Sequence, residues 1–455
     1  MEQENEILIE DDFQNNTRFL AVKILTRFDR SDSYLDILVK HAFVKADMSP
    51  QDKALLTELV NGVVRWRLKL DYVLIGFYQG DYQKCLNIIK NSMRIALYQM
   101  LYLDKVPDYA AIDESVEIVK RIQGQKAANV ANGVLRNIAR NFSSIRYPEA
   151  KDDFYYHLGI LTSHPKWLSK RYCNVMGDAD ARLLMEQNNK RPYVPVRVNT
   201  LKAKVEEVQE IFTKHEIEYE NCLLHPNTLK LYNSRWDIAN SDLFISGKVA
   251  IQDPTASLAV QLASPKLGQR IADICAAPGG KTFYFAELMN NEGYITAYDL
   301  HPNKLRFIEQ GAERYGFDII HTDVADAKTV VFEEPYDIIF ADVPCSGLGT
   351  IRKKPDIKWK REFADIRRMA DSQREIMKNV AEQMQSGGVF VYSTCTIDPM
   401  ENEENVEWFL QTYPDFELDP AEKYLPKEIC KNGMMLVWPH LHDIDGGFAA
   451  RLIKK

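Results

Sequence analysis

Two cysteines stand out in the sequence because their thiols can act as nucleophiles. Cys345 lies in residues 342–347 (DVPCSG) and Cys395 in residues 393–396 (STCT), each directly after a predicted strand. A thiolate forms covalent intermediates readily, whereas an isolated cysteine is usually an inert core residue. Two thiols at neighbouring strand ends therefore indicate covalent catalysis. The inert role is assigned to the cysteines outside such motifs: Cys85, Cys173, Cys222 and Cys430.

A glycine-containing loop follows the predicted strand 270–274. Its sequence, residues 275–281 (CAAPGGK), combines small side chains with two glycines. Such a turn lets a ligand approach the backbone closely. The loop is not a P-loop, because that motif requires glycine where this chain has Cys275. The loop alone remains a weak signal, since many glycine turns bind nothing.

Two carboxylates at later strand ends strengthen the indication of a ligand. Asp299 can accept hydrogen bonds from ribose hydroxyls, and Asp323 is placed to reach an adenine amino group. Each alone can equally be a turn or capping residue. A ribose acceptor without a phosphate cradle favours a nucleoside that lacks pyrophosphate, and S-adenosylmethionine is the candidate.

Thiols beside a methyl donor suggest a specific reaction. Carbon 5 of a pyrimidine is a poor nucleophile until a thiolate adds to carbon 6, after which carbon 5 can attack a methyl group. Asp342 is suited to hold the N3/N4 edge of a cytosine. Lys281 is a candidate to activate the thiol, whose ordinary pKa is near 8.5. Chemistry alone leaves open which of the two cysteines attacks.

The elements that position these residues alternate between strand and helix from about residue 251 onward. This alternation predicts a doubly wound, mostly parallel α/β sheet, in which ligands bind beyond the carboxyl ends of the strands. The predicted strands are 270–274, 293–298, 317–321, 336–341 and 388–392, and the predicted helices are 281–289, 302–315, 366–385 and 402–411.

The chain divides into three ranges of different composition, and the last of them forms this sheet. Residues 15–140 carry repeated helical stripes and are predicted to form an all-α domain, followed by a linker over 141–153. Residues 154–250 mix short strands with a polar helix and are predicted to form a small α+β subdomain. The range 251–455 is predicted to be the α/β domain.

Composition excludes several classes of protein. Hydrophobic residues make up 45% and charged residues 27% of the chain, the balance of a globular protein. No apolar run approaches the roughly 18 residues that span a bilayer. The acidic N-terminus lacks a signal-peptide pattern, and seven scattered cysteines without a CxxC pair argue against disulfides and zinc. We expect a cytoplasmic protein with no metal.

Charge is unevenly distributed although the net charge is −8. Residues 351–368 contain eight Lys or Arg against three Asp or Glu, and residues 400–428 contain nine acidic against two basic residues. The basic stretch is either a solvated helix face or a surface for nucleic acid. The acidic stretch is interpreted as a solvated helix and loop.

The motifs at 273–281 (DICAAPGGK), 342–347 and 393–396, in this order, resemble the Sun family of RNA cytosine-C5 methyltransferases. Residues 61–65 (NGVVR), 110–114 (AAIDE) and 131–136 (ANGVLR) resemble the helical NusB domain, which binds RNA. The resemblance covers nearly all of residues 15–455 and implies a Rossmann-like catalytic domain. One departure is residues 445–448 (DGGF), where the family commonly has DGFF.

The resemblance implies roles for individual residues. Cys395 would be the nucleophile, Cys345 would assist release, and Asp342 would hold the cytosine edge. S-adenosylmethionine would contact Cys275, Ala276, Ala277, Pro278, Gly279, Gly280, Lys281, Asp299, Asp323 and Asp342. RNA would contact Arg197, Asn199, Arg352, Lys353, Lys354 and Lys358.

The NusB-like segment favours a cytosine of small-subunit ribosomal RNA as the target, methylated by a monomer before the subunit is fully assembled. Two alternatives stay open: a related enzyme acting on tRNA or another ribosomal site, and a catalytically idle RNA-binding assembly factor. The presence of both cysteines argues against the idle factor. An amino-methyltransferase is disfavoured because Cys345 occupies the position where such enzymes carry an aromatic ring.

Overall fold

The computed structural model describes residues 16–232 and 236–455. These residues form two compact units. The helical unit contains the described residues up to Asn189 together with Lys354–Lys360, and the catalytic unit contains Lys190–Lys353 and Arg361–Lys455. No helix in the described ranges is long and apolar enough to cross a membrane.

The helical unit is built from amphipathic helices that bury their apolar stripes. The Ser49 side chain caps the longest uninterrupted one by accepting a hydrogen bond from the Asp52 amide, and Pro50 occupies the first turn. Gly124, at φ +77°, interrupts the last helix of the predicted all-α range. The helices are α1 Thr17–Phe28, α2 Leu35–Lys45, α3 Pro50–Phe77, α4 Asn87–Tyr102, α5 Asp108–Asn141, α6 Phe154–Thr162, α7 Lys166–Met176 and α8 Asp178–Asn188.

A small antiparallel sheet begins the catalytic unit, in the strand order β2-β3-β1-β4. Its apolar face packs on a helix, with Val196, Val198 and Phe212 buried between them. The elements are β1 Val194–Val198, α9 Val205–Lys214, β2 Tyr219–Asn221, β3 Thr228–Leu231, α10 Asp242–Ile245 and β4 Val249–Ile251. This is the predicted mixture of strand, helix and strand. The helices α6 to α8, also in the predicted range 154–250, lie in the helical unit.

A nine-stranded sheet forms the rest of the catalytic unit. Five strands, in the order β9-β8-β5-β6-β7, are parallel, and the predicted α/β alternation is confirmed. The elements are α11 Pro254–Ala263, β5 Arg270–Asp273, α12 Gly280–Leu288, β6 Tyr294–Asp299, α13 Pro302–Tyr315, β7 Ile320–Val324, β8 Ile338–Asp342, α15 Phe363–Gln383, β9 Val389–Thr394 and α16 Glu403–Thr412, while α14 Ile357–Lys360 belongs to the helical unit.

The sheet continues with antiparallel strands that the alternation did not predict. Strand β13 pairs with β9 and carries β12 and β10 on its other side. Six residues of β13, from Gly447 to Leu452, are buried. These elements are β10 Phe416–Asp419, β11 Cys430–Lys431, β12 Met434–Val437, α17 Pro439–His442 and β13 Gly447–Lys454.

Candidate active site

The two cysteines of the motifs meet at the carboxyl edge of the parallel strands. Their sulfur atoms lie 3.1 Å apart, and neither cysteine forms a disulfide. The cause is strand register: Asp342 of β8 pairs with Ser393 of β9, so the loops that follow leave the sheet side by side. Cys395 is exposed and Cys345 is half-buried. Both sulfurs can therefore face one reacting ring.

The environment distinguishes the two thiols. The hydrogen bond with Cys395 and burial raise the pKa of the Cys345 thiol well above its ordinary value, and the negative charge of Glu401 adds to the shift. A thiol with a raised pKa is protonated at neutral pH and is a poor nucleophile. Cys345 is therefore less suited to attack than to a role in proton transfer.

A lysine and a carboxylate form an ion pair beside these loops. Lys281 Nζ lies 2.6 Å from Asp342 Oδ2, and the Ser393 hydroxyl donates to the other oxygen of Asp342 at 3.3 Å. Burial disfavours the charged ammonium, but attraction to Asp342, with a smaller contribution from Cys395, raises the pKa of Lys281 overall. Lys281 therefore carries its positive charge near the thiols at neutral pH.

The predicted cofactor loop connects β5 to α12 and lies against the end of β6. The amide of Ala277 donates to Asp299 Oδ2 at 3.3 Å, and the His301 amide donates to Asp299 Oδ1 at 2.9 Å. Gly279 has φ +103°, and a Cβ there would lie 2.6 Å from the Phe283 ring. The loop therefore requires glycine at this position.

The other predicted cofactor residues differ in exposure. Pro278 and Asp323 are exposed, Ala276 is buried, and Cys275 and Gly280 are half-buried. Burial raises the pKa of the Cys275 thiol, and nearby carboxylates add to the effect. The thiol of Cys275 is therefore inert, and this residue supplies packing and backbone rather than reactivity.

This set of groups fits a nucleoside with a sulfonium better than a phosphate ester. Asp299 keeps free acceptor capacity for ribose hydroxyls beside its two backbone donors. The one cation of the loop, Lys281, is held in an ion pair with Asp342 and is therefore engaged without a phosphate. In the described ranges, no cluster of His, Cys, Asp or Glu is arranged to hold a metal ion.

A buried carboxyl group under the loop was not among the predicted site residues. Asp273, at the end of β5, is 1% exposed and accepts a hydrogen bond from the Thr282 hydroxyl at 2.7 Å. Burial raises the pKa of Asp273 to about 7. Its position as the last residue of the strand before the glycine loop was the available sequence signal.

Glu401 was also missed, because the acidic stretch 400–428 was interpreted as solvated. That interpretation is wrong for this residue: Glu401 is fully buried and accepts a hydrogen bond from the Ser346 amide at 2.9 Å. Its closeness in sequence to Cys395 was the signal that could have found it.

The side chains of Arg197 and Asn199 were predicted to contact RNA, but each residue is only 1% exposed. Arg197 forms an ion pair with Glu287, donates to Gln252 Oε1 at 2.6 Å and lies over the Tyr284 ring. Asn199 donates to the Gly247 carbonyl at 3.0 Å. Both side chains have internal partners, which accounts for polar residues on a buried strand face.

Three basic residues of the stretch after Cys345 are likewise engaged internally. Arg352 pairs with Asp443 at 2.7 Å, and Lys353 bridges Asp253 and Asp445 at 2.5 and 3.0 Å. Lys358, in the helical unit, is fully buried, and its ammonium donates to the carbonyls of Arg65 and Ser163 at 2.7 and 2.8 Å. Of the six predicted RNA contacts, Lys354 is the exposed one.

Replacing Arg197 with methionine is expected to destabilise the protein by about 3–5 kcal/mol, because Glu287 would stay buried without its partner. RNA affinity of the folded protein should not change. Lys354→Ala is the matched variant: its stability should match the parent, and the slope of log affinity against log salt should fall by about 1. Urea unfolding measures the stability, and RNA filter binding at several salt concentrations measures the affinity. A normal stability for Arg197→Met with weakened RNA binding would contradict the structural role.

Residues 445–448 (DGGF), where the sequence departs from the DGFF pattern of the family, lie in a region of close backbone packing. A Cβ on Gly446 would lie 2.6 Å from Ile397, and one on Gly349 would lie 2.2 Å from the Gly446 carbonyl. The Gly349 amide donates to the Cys395 carbonyl at 3.1 Å. These glycines let three loops meet directly behind the nucleophile candidate.

Comparison with known proteins assigns the family. Residues 260–453 match the 16S rRNA methyltransferase RsmB/F family, residues 15–140 the NusB family, and residues 164–236 the ferredoxin-like domain of RsmF/B-like methyltransferases. A probable ribosomal RNA small subunit methyltransferase B of Bacillus subtilis is 38% identical, covering 97% of this chain and 99% of the relative. The chain belongs to the 16S rRNA methyltransferase RsmB/F family.

Two further relatives agree with the assignment. A probable ribosomal RNA small subunit methyltransferase B of Synechocystis is 33% identical, covering 96% of this chain and 99% of its own. The crystal structure of PH0851 has a TM-score of 0.80 and 27% identity, covering 96% of this chain and 99% of that one. The predicted family, the NusB-like, α+β and Rossmann-like organisation and S-adenosylmethionine as cofactor are therefore confirmed.

Proposed function

We propose that the protein methylates carbon 5 of a cytosine in 16S ribosomal RNA through a covalent intermediate with Cys395. The observation that carries this proposal is the contact between the Cys345 and Cys395 sulfurs beside the loop assigned to S-adenosylmethionine. The residues assigned to that cofactor are the loop from Cys275 to Lys281, Asp299, Asp323 and Asp342. When bound, the cofactor supplies the methyl group.

Attack is assigned to Cys395, which is exposed. The Coulombic attraction between Lys281 and Cys395 makes the Lys281 ammonium the candidate that activates this thiol. The thiolate forms a bond to carbon 6, and the electron pair of the C5–C6 double bond makes carbon 5 nucleophilic. Asp342, oriented by Lys281 and Ser393, accepts a hydrogen bond from the N4 amino group of the cytosine and so holds the ring for attack.

Release is assigned to Cys345. After carbon 5 has gained the methyl group, its proton must leave, the C5–C6 double bond re-forms, and the C6–S bond breaks with its electron pair returning to Cys395. Cys345 assists by protonating the departing sulfur, after which the Cys345 thiolate accepts the carbon 5 proton, and the distance of 3.1 Å between the sulfurs supports this role.

Tritium release distinguishes carbon 5 methylation from other methylations. Unmethylated 16S RNA containing cytosine labelled with tritium at carbon 5 would be incubated with the protein and methyl-labelled cofactor. We expect one tritium released into water for each methyl group transferred. Methyl incorporation with retained tritium would overturn the proposal. Total tRNA serves as the competing substrate, and bisulfite sequencing locates the modified cytosine.

A further inference from the structure

A buried polar cluster lies behind both thiols. Its members are fully buried and come from α15, β9, the segment that leads into α16 and the first turn of α16. Buried polar groups cost free energy unless they are hydrogen-bonded, so a hydrogen-bonded network of this kind favours one arrangement of the chain. The polar cluster consists of Gln373, Tyr392, Glu401, Asn402 and Asn405.

The cluster holds the chain on both sides of Cys345. Glu401 Oε2 accepts the Ser346 amide at 2.9 Å. Gln373 Nε2 donates to the Pro344 carbonyl at 2.9 Å and to Glu401 Oε2 at 3.0 Å. The residues immediately before and after Cys345 are thus attached to one carboxylate and one amide.

The next residue of the cluster holds the chain on both sides of Cys395. Asn402 Oδ1 accepts the Thr394 hydroxyl at 2.7 Å, and Asn402 Nδ2 donates to the Thr396 carbonyl at 3.1 Å. The hydroxyls of Ser346 and Thr396 lie 2.7 Å apart and link the two loops directly. Adjacent residues of the chain therefore set the positions of both thiol loops.

The other three residues of the cluster hold Glu401 and Asn402 in place. The Tyr392 hydroxyl donates to the Glu401 carbonyl at 2.6 Å, and Asn405 donates to the Gln373 side-chain oxygen at 2.9 Å. Glu401 is fully buried, and this burial raises the pKa of its carboxyl group. A small shift of Glu401 would move the Cys345 loop away from Cys395.

We propose that Glu401 is a positioning residue that keeps the Cys345 sulfur in contact with the Cys395 sulfur, so that breakdown of the covalent RNA intermediate depends on it. The inference rests on the proposed function. It predicts that loss of Glu401 slows release more than attack, because Asn402 still holds the Cys395 loop.

The test compares formation and decay of the denaturation-resistant protein–RNA adduct in single-turnover experiments. Glu401→Ala is expected to slow decay by roughly 10- to 100-fold, since small misplacements of a catalytic group have effects of this size. The adduct should accumulate while its formation changes little. Glu401→Gln should restore most of the decay rate, because an amide oxygen can accept the Ser346 amide.

Three further variants make the result decisive. Val406→Ala, buried on α16, lowers stability while every side chain of the cluster stays unchanged, and Glu404→Gln removes an exposed charge from the same helix. Neither should accumulate adduct. Gln373→Met removes the bond to Pro344 and should accumulate adduct to a smaller extent, which keeps the test available if Glu401→Ala does not fold.

Equal loss of formation and decay in Glu401→Ala, or adduct accumulation in Val406→Ala, would overturn the positioning role. Cys345→Ala separates this failure from that of the proposed function. If Cys345→Ala accumulates adduct and the Glu401 and Gln373 variants do not, the positioning role alone is wrong. If Cys345→Ala forms no adduct, the role proposed for Cys345 is wrong and the inference fails with it.

Discussion

Cys395→Ala is expected to lower methyl transfer to 16S RNA by about 1,000-fold or more, because removal of a covalent nucleophile eliminates the easier two-step route. Binding of S-adenosylmethionine should persist, since Cys395 follows β9 whereas the cofactor loop follows β5. Calorimetric titration with the cofactor and a methyl-transfer assay measure the two properties on the same preparation.

Cys430→Ala is the matched control for this experiment. Cys430 is also a free thiol, half-buried at the start of β11, and its hydrogen bond goes to the Pro426 carbonyl. Burial raises the pKa of Cys430 to about 11, so it is not expected to react. Activity of Cys395→Ala equal to that of Cys430→Ala would show that the nucleophile lies elsewhere.

Cys345→Ala is expected to trap the enzyme on its RNA. Attack by Cys395 remains possible, but removal of the carbon 5 proton and expulsion of the sulfur lose their assistance. We expect turnover to fall by about 100-fold or more, the range of general acid–base contributions. A denaturing gel should show RNA that migrates with the protein and depends on added S-adenosylmethionine.

The double variant Cys345→Ala/Cys395→Ala provides the control, because it lacks the sulfur that forms the bond to carbon 6. It should give no adduct. An adduct in the double variant would mean that another residue attacks the RNA. Normal turnover without adduct in Cys345→Ala would show that the contact between the sulfurs has no part in release.

The α/β alternation could be predicted because the spacing of apolar residues within each segment indicates whether it is a strand or a helix. The helix predicted over 302–315 is the observed helix Pro302–Tyr315, and the five predicted parallel strands are present with ends shifted by at most three residues. Strand ends depend on pairing between distant segments, and this is why they were less accurate. The C-terminal strand β13 was missed because it extends the sheet antiparallel, outside the repeating pattern.

The RNA-contact predictions relied on charge, and charge alone does not reveal exposure. Arg197 is buried against Glu287, which is 90 residues away in the sequence, and Lys358 donates to the Arg65 carbonyl across 293 residues. Glu401 was assigned to solvent for the same reason, because its amide partner at Ser346 comes from a different loop. A charged residue can be buried when a remote segment supplies its hydrogen bonds.

The motifs alone were enough to predict a chemistry, since a thiol, a carboxylate and a glycine loop each have a characteristic reactivity or binding preference. Their shared location at one sheet edge followed from the rule that parallel strands end together. The contact between Cys345 and Cys395, the pairing of Lys281 with Asp342 and the burial of Glu401 required the folded chain. Each of these features depends on how segments far apart in sequence pack together. Local residue patterns do not determine such packing.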